Sequence, residues 1–257
     1  MDEILRCSID GPRMTVTLCR PRVHNALNAE LIAAIDQAFR EAAGLEAVRY
    51  VVLAGEGPSF CAGADLKWMQ AAVDLSPEEN RADAARLAAA LEAIATCPKP
   101  VIARVHGTCL AGGMGLAAAC DLAVAAPDAV FGLAEVRLGL VPAMIFPYLL
   151  RKVAPHQLLR VALTGERFGA TRAREMGLIN EAADDPDAMA RQWGEQLLGG
   201  GPQALARVKA LFRAVPGMSW AAARQHTVEV IAEVRAGSEA REGIQALLQK
   251  RRPRWAP

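Results

Sequence analysis

The chain has 257 residues, of which 53 % are hydrophobic, and its formal net charge is +1 at pH 7. This near-neutral charge gives no general attraction to nucleic acid or to an anionic membrane surface. The length allows one large domain, or a domain with an appendage, and enough chain to bury a substantial core. No apolar run reaches the roughly 20 residues of a membrane-spanning helix, and the N-terminus lacks the pattern of a secretion signal, so we expect neither.

The six cysteines show neither a CxxC pair nor the cysteine–histidine spacing typical of a metal site. In a chain of this size they are expected to be reduced and mostly buried thiols. We therefore expect a cytoplasmic location and no bound metal.

The first hundred residues alternate predicted strands and helices. A hairpin is predicted over residues 5–19, with the letters DGP as its turn. Asn28 is a good N-cap for an amphipathic helix over residues 29–43, and a buried strand is expected over residues 49–54. The letters SPEE contain the cap, the N1 proline and the acidic first turn of a helix over residues 76–95.

The most informative stretch lies between residues 100 and 142. A short apolar strand over residues 101–105 leads into the glycine-rich letters LAGGMGLAAACD, which open an alanine-rich helix. A second apolar strand follows. Glu135 then lies in the otherwise apolar letters FGLAEVRLGL, so we expect packed apolar surroundings and a raised pKa for this carboxyl group.

Beyond residue 142 the sequence predicts helices almost throughout. These helices are expected over residues 143–153, 155–163, 170–176, 186–199, 202–213, 219–235 and 237–250. The letters GGGP before the fifth of them form the clearest hinge. The sequence therefore predicts an α/β core over residues 1–199 and a helical C-terminal module over residues 200–257.

Two turns rich in small residues offer backbone amides to an anionic oxygen. In FCAGADLKWM, the letters CAGA allow a ligand to approach the backbone, and the Ala64 N–H is a candidate donor. Gly112 begins a helix, so its N–H has no intrahelical acceptor and is a candidate second donor. Together with Glu135 as a proton carrier, these donors indicate chemistry through an enolate. Taken alone, the first turn is also typical of a loop whose small residues only permit packing.

Two other interpretations of these residues are less favoured. The letters GMGLAA, from Gly113 to Ala118, match a dinucleotide-binding fingerprint, but that motif requires the strand to run directly into its first glycine and an acidic residue to close the next strand. Here the residues from Gly107 to Ala111 intervene, and Asp121 precedes the second strand. Glu135 could also be a surface residue paired with Arg137, which its apolar neighbours argue against. The single histidines His24 and His106 indicate no catalytic triad.

Together these segments resemble the enoyl-CoA hydratase/isomerase (crotonase) family. The resemblance runs along the chain through RPRVHNALN, SFCAGADLKWM, PVIARVHGTCLAGGMGLAAACDLAVAA, FGLAEVRLGLVP, LTGERFGATRAREMGLIN and EGIQALLQKRRPRW. It implies a crotonase-like spiral of ββα units with a helical C-terminal trimerisation module, assembled as a homotrimer or as a hexamer of two trimers. It also implies an acyl-CoA substrate, so that coenzyme A arrives with the substrate and no separate cofactor is expected.

The resemblance implies roles for individual residues. Ala64 and Gly112 match the two amides that hold the thioester oxygen, and Glu135 matches the glutamate that moves a proton at the adjacent carbon. Lys250 matches a C-terminal lysine that can reach the coenzyme A phosphate bound to a neighbouring subunit. The other implied substrate-binding positions are Arg22, Val23, Ala62, Asp65, Leu66, Lys67 and Gly113.

Two departures from the family pattern bear on the reaction. Family hydratases usually carry a second glutamate where this chain has Gly115, and the letters PAMIFP at residues 142–147 replace the common PGxGG. Both departures resemble the methylglutaconyl-CoA and isohexenylglutaconyl-CoA hydratase branch, whose substrates are branched and carboxylated. A single glutamate is also the pattern of enoyl-CoA isomerases. We therefore expect a hydratase, with an isomerase and a non-catalytic acyl-CoA binder as alternatives.

The sequence also offers candidates for an acyl pocket. Its candidate side chains are Trp68, Met69, Met144, Phe146 and Tyr148, and ordinary core packing explains each of them equally well.

Overall fold

The computed structural model describes residues 3–257, which contain ten strands and eleven α-helices. The strands are β1 (Leu5–Asp10), β2 (Arg13–Leu18), β3 (Tyr50–Gly55), β4 (Ser59–Cys61), β5 (Val101–Val105), β6 (Thr108–Leu110), β7 (Leu122–Ala125), β8 (Val130–Gly132), β9 (Arg167–Gly169) and β10 (Glu181–Ala182). The helices are α1 (Ala29–Gly44), α2 (Leu66–Ala72), α3 (Pro77–Thr96), α4 (Gly112–Ala119), α5 (Phe146–Leu149), α6 (Pro155–Thr164), α7 (Ala170–Glu175), α8 (Pro186–Leu198), α9 (Pro202–Ala214), α10 (Trp220–Ala236) and α11 (Ser238–Leu248). Single 3-10 turns cover Pro21–Val23, Glu135–Leu138, Ala143–Ile145 and Val215–Gly217.

The strands form two sheets that the chain visits alternately. The larger sheet has the order β1-β2-β3-β5-β7-β10, and the smaller one has the order β4-β6-β8-β9. Each of the pairs β3-β4, β5-β6 and β7-β8 places one strand in each sheet before the chain enters helical structure. This repetition is the predicted spiral of ββα units, and β3, β5 and β7 are parallel in one sheet while β4, β6 and β8 are parallel in the other.

Several elements occur where local sequence signals predicted them. The hairpin of β1 and β2 pairs Asp10 with Arg13 across its turn. Asn28 caps α1 by accepting a hydrogen bond from the Leu31 amide. Ser76 and Glu79 form a reciprocal capping box at the start of α3. Each of these features depends on residues a few positions apart, which is why the sequence alone predicts them.

Other predicted boundaries were wrong. The strands β4, β6, β8, β9 and β10 have two or three residues each and were not predicted. The predicted helix over residues 143–153 is instead a 3-10 turn followed by the four-residue helix α5. The last predicted helix, over residues 237–250, ends at Leu248. Such short elements are set by their partners in the fold, since three residues carry no periodic pattern.

The main core contains residues of both sheets packed with helices α1, α3 and α4. The predicted apolar face of α1 is confirmed, because Leu31, Ile35 and Phe39 are all fully buried. Within residues 3–257, every helix is too short or too polar to span a lipid bilayer.

The C-terminal helices are tied to the core by buried polar contacts. The Lys209 Nζ of α9 lies 2.5 Å from the Asp121 Oδ2 and donates to the Lys99 carbonyl at 2.8 Å. The same Asp121 oxygen accepts a hydrogen bond from the Val101 amide at the start of β5. The division of the chain near residue 200 into core and module stays a prediction.

We expect Lys209→Met to lower the free energy of unfolding by about 3 kcal/mol, the lower end of the range for breaking a buried ion pair, because Asp121 keeps 28 % of its side-chain exposure. Burial already raises the pKa of Asp121, and Lys209 opposes that rise. Urea denaturation measures the change. Arg207→Met on the same helix is the control: the pair of Arg207 with Glu233 is exposed, so its loss should cost at most about 1 kcal/mol. Equal effects of the two variants would contradict the prediction.

Candidate active site

Three parallel strands of the smaller sheet end at the same edge, and the predicted catalytic residues follow them. Ala64 comes three residues after β4, Gly112 two residues after β6, and Glu135 three residues after β8. The carboxyl ends of adjacent parallel strands are where open α/β sheets place their ligands. The fold therefore brings the three segments that carry the predicted catalytic residues to one edge.

The turns after β4 and β6 are in van der Waals contact. A methyl group on Gly63 would lie 2.9 Å from the Ala111 Cβ and 3.7 Å from the Gly112 nitrogen. One on Gly112 would lie 3.9 Å from the Gly63 Cα. A glycine at each position allows this approach, so the amides of Ala64 and Gly112 belong to touching turns.

The amide of Ala64 is left free by the way its neighbours are bonded. Leu27 donates to the Gly63 carbonyl at 2.7 Å and accepts from the Asp65 amide at 2.8 Å. In a parallel ladder, the residue bracketed by two such bonds directs its own N–H away from the partner strand. Within residues 3–257 the Ala64 N–H has no hydrogen-bond acceptor.

Gly112 is the first residue of α4, and its N–H likewise has no acceptor in the described part of the chain. The preceding residue, Ala111, has a φ of 48°, which is unfavourable for a residue with a side chain. The Ala111 amide donates to the Gly132 carbonyl at the end of β8 with a length of 2.9 Å. That bond joins the turn before Gly112 to the strand that leads to Glu135.

Glu135 begins a 3-10 turn and carries a carboxyl oxygen, Oε2, that is buried without a hydrogen-bond partner. Burial raises the pKa of this carboxyl group, against a smaller lowering effect of its own backbone amide. This rise in the pKa of Glu135 agrees with the expectation from the sequence. A carboxyl group held partly out of water is suited to taking up and returning a proton near neutral pH.

The predicted apolar surroundings of Glu135 are only half correct. Phe131 and Leu133, on its N-terminal side, are buried, whereas Val136 and Leu138 are 36 % and 64 % exposed. The apolar letters after Glu135 therefore face outward, because the 3-10 turn directs them away from the core. Arg137 does not pair with Glu135; it donates to the Thr164 carbonyl.

Gly115 and the 142–147 loop, the two departures from the family pattern, meet in one packing contact. A methyl group on Gly115 would lie 2.1 Å from the Ile145 Cγ2 and 2.9 Å from the Ile145 Cβ. Ile145 is 3 % exposed. The space into which a side chain at position 115 would extend is thus filled by a branched apolar residue.

We expect Gly115→Ala to lower the free energy of unfolding by about 1–3 kcal/mol, because the added methyl group overpacks this contact. Ile145→Ala alone should cost about 2–5 kcal/mol through the cavity it leaves. In the Ile145→Ala background the cost of Gly115→Ala should fall, since the Cγ2 clash is gone. Urea denaturation of the four proteins measures this coupling, and additive costs would contradict it.

The implied substrate-binding residues fall on two neighbouring segments, apart from Gly113 and Lys250. Arg22 and Val23 are exposed on the 3-10 turn Pro21–Val23, and Leu66 and Lys67 are exposed at the start of α2. Ala62 joins the segments, because its amide donates to the His24 carbonyl at 2.9 Å. This surface adjoins the turn that carries Ala64.

The other implied binding residues have different surroundings. Asp65 caps α2 through the Lys67 amide and pairs with Arg20 at 2.7 Å. Gly113 is buried, and a methyl group on it would lie 2.2 Å from the Cys61 carbonyl oxygen. The absence of a side chain at Gly113 therefore allows α4 to pack against β4. Within residues 3–257, the amide of Lys250 donates to the Leu247 carbonyl and not to another candidate residue. The segment after it is docked at the amino end of β3, where Arg49 donates to the Trp255 carbonyl.

Two polar residues that hold the site region were not predicted. Asn25 is fully buried at a φ of 55° and donates to the Glu56 and Ser59 carbonyls, which anchors the start of β4. Arg20 bonds both Asp65 and the Ala26 carbonyl. Their partners are up to 45 residues away, so no local pattern in the sequence reveals them.

The remaining candidates have simple surroundings. His24 contacts the Ser59 Oγ, and His106 contacts the Gly57 carbonyl. Among the proposed acyl-pocket residues, four are partly buried against the main core: Trp68, Met144, Phe146 and Tyr148. No group of three His, Cys, Asp or Glu side chains suited to a metal occurs in residues 3–257.

Comparisons with known proteins agree with this fold. Residues 13–257 match the family model described as Enoyl-CoA hydratase/isomerase. A "Probable enoyl-CoA hydratase" of Rhodobacter capsulatus is 38 % identical over 261 residues, with 98 % of this chain and 97 % of that protein covered. A carnitinyl-CoA dehydratase of Salmonella typhi is 33 % identical over 263 residues, with 99 % of each covered. The crystal structure of an enoyl-CoA hydratase from Shewanella pealeana matches with a TM-score of 0.96 at 36 % identity, covering 98 % of this chain and 96 % of that one.

These matches place the chain among enzymes with a mixed α/β core and a helical C-terminal region. The chain belongs to the enoyl-CoA hydratase/isomerase family. The predicted fold class is thereby confirmed.

Proposed function

We propose that the protein is a hydro-lyase that adds water reversibly to a 2-enoyl-CoA thioester. One O–H bond of water breaks as its oxygen bonds to C3, and Glu135 accepts the released proton. The C2–C3 π electrons form the enolate, Glu135 gives the proton to C2, and in between the negative charge lies on the thioester oxygen. The Ala64 and Gly112 amides hold that oxygen, and Glu135 moves the proton at C2. The observation that carries the proposal is that two acceptor-free amides and a buried, unpartnered carboxyl oxygen follow the ends of adjacent strands.

The amides stabilise the transition state because they are fixed before the reaction starts. Charge builds on the thioester oxygen as the enolate forms, so hydrogen bonds to it strengthen during that step. Removing one such donor in other enzymes typically costs about 3–4 kcal/mol of barrier. Glu135 supplies a proton acceptor whose free oxygen needs no rearrangement of existing hydrogen bonds.

We further propose that the acyl group is branched or carboxylated, as the resemblance at Gly115 and residues 142–147 implies. Arg22, Val23, Ala62, Leu66 and Lys67 would then line the coenzyme A site. A panel of straight, branched and carboxylated enoyl-CoA thioesters tests this part. Faster turnover of a straight-chain substrate than of every branched or carboxylated one would refute it.

The single glutamate supports a second candidate function, the movement of a double bond from C3 to C2. Ile145 fills the space beside Gly115, so that position supplies no second carboxylate to hold water. Incubation with a 2-enoyl-CoA and with a 3-enoyl-CoA, followed by mass spectrometry, separates the reactions. Hydration adds the mass of one water, and isomerisation leaves the mass unchanged. Neither reaction would occur with a non-catalytic acyl-CoA binder.

We also propose a trimer, or a hexamer of two trimers, built by the C-terminal helices and located in the cytoplasm. The support for assembly is the number of large apolar side chains exposed on α9, α10 and α11: Val208, Phe212, Trp220, Val228, Ile231, Ile244, Leu247 and Leu248. Such exposed apolar surface is typical of protein interfaces. In this assembly Lys250 from a neighbouring copy could reach the coenzyme A phosphate. Light scattering coupled to size exclusion measures the assembly.

The raised pKa of Glu135 makes a prediction for the dehydration direction, in which the carboxylate removes the C2 proton. The rate with a 3-hydroxyacyl-CoA should rise with pH through a midpoint above 4.5, the ordinary value for a glutamic acid. The raised pKa also contributes to the free energy of unfolding. This contribution of Glu135 is fully present below pH 4.5 and is lost as the pH rises through the raised pKa. A pH–rate profile measures the midpoint, and a midpoint at or below 4.5 would contradict the prediction.

A further inference from the structure

The peptide that carries the Ala64 N–H is fixed by the segment over residues 20–27 rather than by its own turn. Leu27 bonds the residues on both sides of Ala64, and His24 bonds Ala62. Any movement of this segment therefore moves the Ala64 amide. A side chain that bonds both this segment and the turn after β4 would hold the two in register.

Arg20 is the side chain that joins both. Its Nη2 donates to the Asp65 Oδ2 at 2.7 Å, and its Nη1 donates to the Ala26 carbonyl. Asp65 directly follows Ala64, and Ala26 directly precedes Leu27. The guanidinium thus spans the two chain segments next to the pair of hydrogen bonds that brackets Ala64.

The Arg20–Asp65 pair is well suited to hold a fixed geometry. The two side chains keep only 17 % and 12 % of their exposure. The other Asp65 oxygen, Oδ1, accepts from the Lys67 amide at 2.9 Å. Burial alone would raise the pKa of Asp65, but hydrogen bonds from Arg20 and the Lys67 amide hold it below its ordinary value. The carboxylate therefore stays charged and bonded at neutral pH.

We propose that Arg20 is a positioning residue that acts through Asp65 and Ala26 to hold the Ala64 amide in place for the thioester oxygen. This inference rests on the proposed function, because it gives the Ala64 N–H a substrate oxygen to bind. The planar guanidinium fork reaches two acceptors at once, whereas a lysine ammonium offers a point charge without that fixed spacing. Arginine and lysine should therefore differ at this position.

The test measures the hydrogen bonding of the thioester directly. A saturated acyl-CoA with a ¹³C-labelled thioester carbonyl is bound to each protein, and isotope-edited infrared spectroscopy records the carbonyl stretch. Calorimetry gives the Kd of the same ligand, and kcat is measured with a 2-enoyl-CoA. The variants are Arg20→Met, Arg20→Lys and Asp65→Asn.

In the wild-type protein the carbonyl stretch should move to lower frequency on binding. Arg20→Met and Asp65→Asn should lose most of this shift and should lower kcat by at least about 10-fold, approaching the roughly 10²–10³-fold loss that follows removal of an oxyanion donor. The Kd of the Arg20→Met variant should stay within about threefold of wild type, a change of less than about 1 kcal/mol in binding. Arg20→Lys should recover part of the shift through its charge pair with Asp65.

Two control arginines separate positioning from other effects. Arg22→Met removes an exposed arginine of the proposed coenzyme A site, so it should weaken binding without reducing the carbonyl shift of the bound ligand. Arg40→Met breaks an exposed pair with Asp36 on α1 and should change neither quantity.

A wild-type shift and kcat in both Arg20→Met and Asp65→Asn would overturn the proposal, even if their melting temperatures fell, because stability would then be the only role of the pair. If Arg20→Met fails to fold, Arg20→Lys and Asp65→Asn decide the question by the same criteria. A wild-type protein that binds the thioester without any carbonyl shift and hydrates no enoyl-CoA would overturn the proposed function itself. Because that result needs only the wild-type protein, failure of the proposed function can be told apart from failure of the Arg20 proposal.

Discussion

Replacement of Glu135 by glutamine should reduce turnover of an enoyl-CoA by about 10²–10⁴-fold, the range typical of a general acid–base residue. Glutamine keeps the size of the side chain but can neither accept nor donate the C2 proton. The buried Oε2 atom has no hydrogen-bond partner in residues 3–257, so the substitution breaks no bond of that atom.

The same substitution should leave folding and binding intact. An uncharged amide costs less to hold out of water than a carboxylate whose pKa burial raises, so the free energy of unfolding should be unchanged or higher. The Kd of a saturated acyl-CoA should be nearly that of the wild type, because Glu135 acts on the proton and not on the coenzyme A portion.

Steady-state kinetics, calorimetry and urea denaturation measure the three quantities. Glu175→Gln, at an exposed position on α7, is the matched control and should behave as wild type in all of them. Turnover of Glu135→Gln within a few-fold of wild type would remove Glu135 from the mechanism.

Gly63→Ala should cause the second large loss of activity. Gly63 has a φ of 97°, and an added methyl group would lie 2.9 Å from the Ala111 Cβ and 3.2 Å from the Leu110 carbonyl oxygen. The turn after β4 must then move away from the turn after β6. Separation of the two amides should lower kcat by about 10²–10³-fold, as does the loss of an oxyanion donor.

Part of the effect of Gly63→Ala comes from backbone strain at a positive φ. A second glycine with a positive φ separates this strain from the contact between the two turns. Gly11 in the β1–β2 turn has a φ of 52° and no neighbouring atom within 4 Å of an added methyl group. Gly11→Ala should therefore cost stability, of order 1–3 kcal/mol, and leave kcat unchanged. Normal kcat in Gly63→Ala would show that contact between the two turns is unimportant for the reaction.

The elements predicted from the sequence share a local origin. The Asn28 cap, the capping box of Ser76 and Glu79, and the apolar face of α1 each depend on residues within a few turns of one helix. The strands β4, β6 and β8 differ, because their three-residue lengths become strands only when paired with each other. None of the three was predicted, although they bring the segments of Ala64, Gly112 and Glu135 to one edge.

The candidate site residues can be named from the sequence, but the contacts that support them cannot. Small residues before Ala64 and a helix start at Gly112 are visible as letters, and so is an isolated Glu135. The contact of Gly115 with Ile145 joins residues thirty positions apart, and the bond of Arg20 to Asp65 joins residues 45 apart. Apolar letters after Glu135 misled the prediction, because a 3-10 turn exposes residues that a helix or strand could have buried.

A crystal structure of the protein with a bound, unreactive enoyl-CoA analogue tests the central claim most directly. The thioester oxygen should lie about 2.7–3.1 Å from the nitrogens of both Ala64 and Gly112, and a Glu135 carboxyl oxygen should lie within about 3.5 Å of the C2 atom. A thioester oxygen that bonds to other groups, or a C2 atom out of reach of Glu135, would contradict the account.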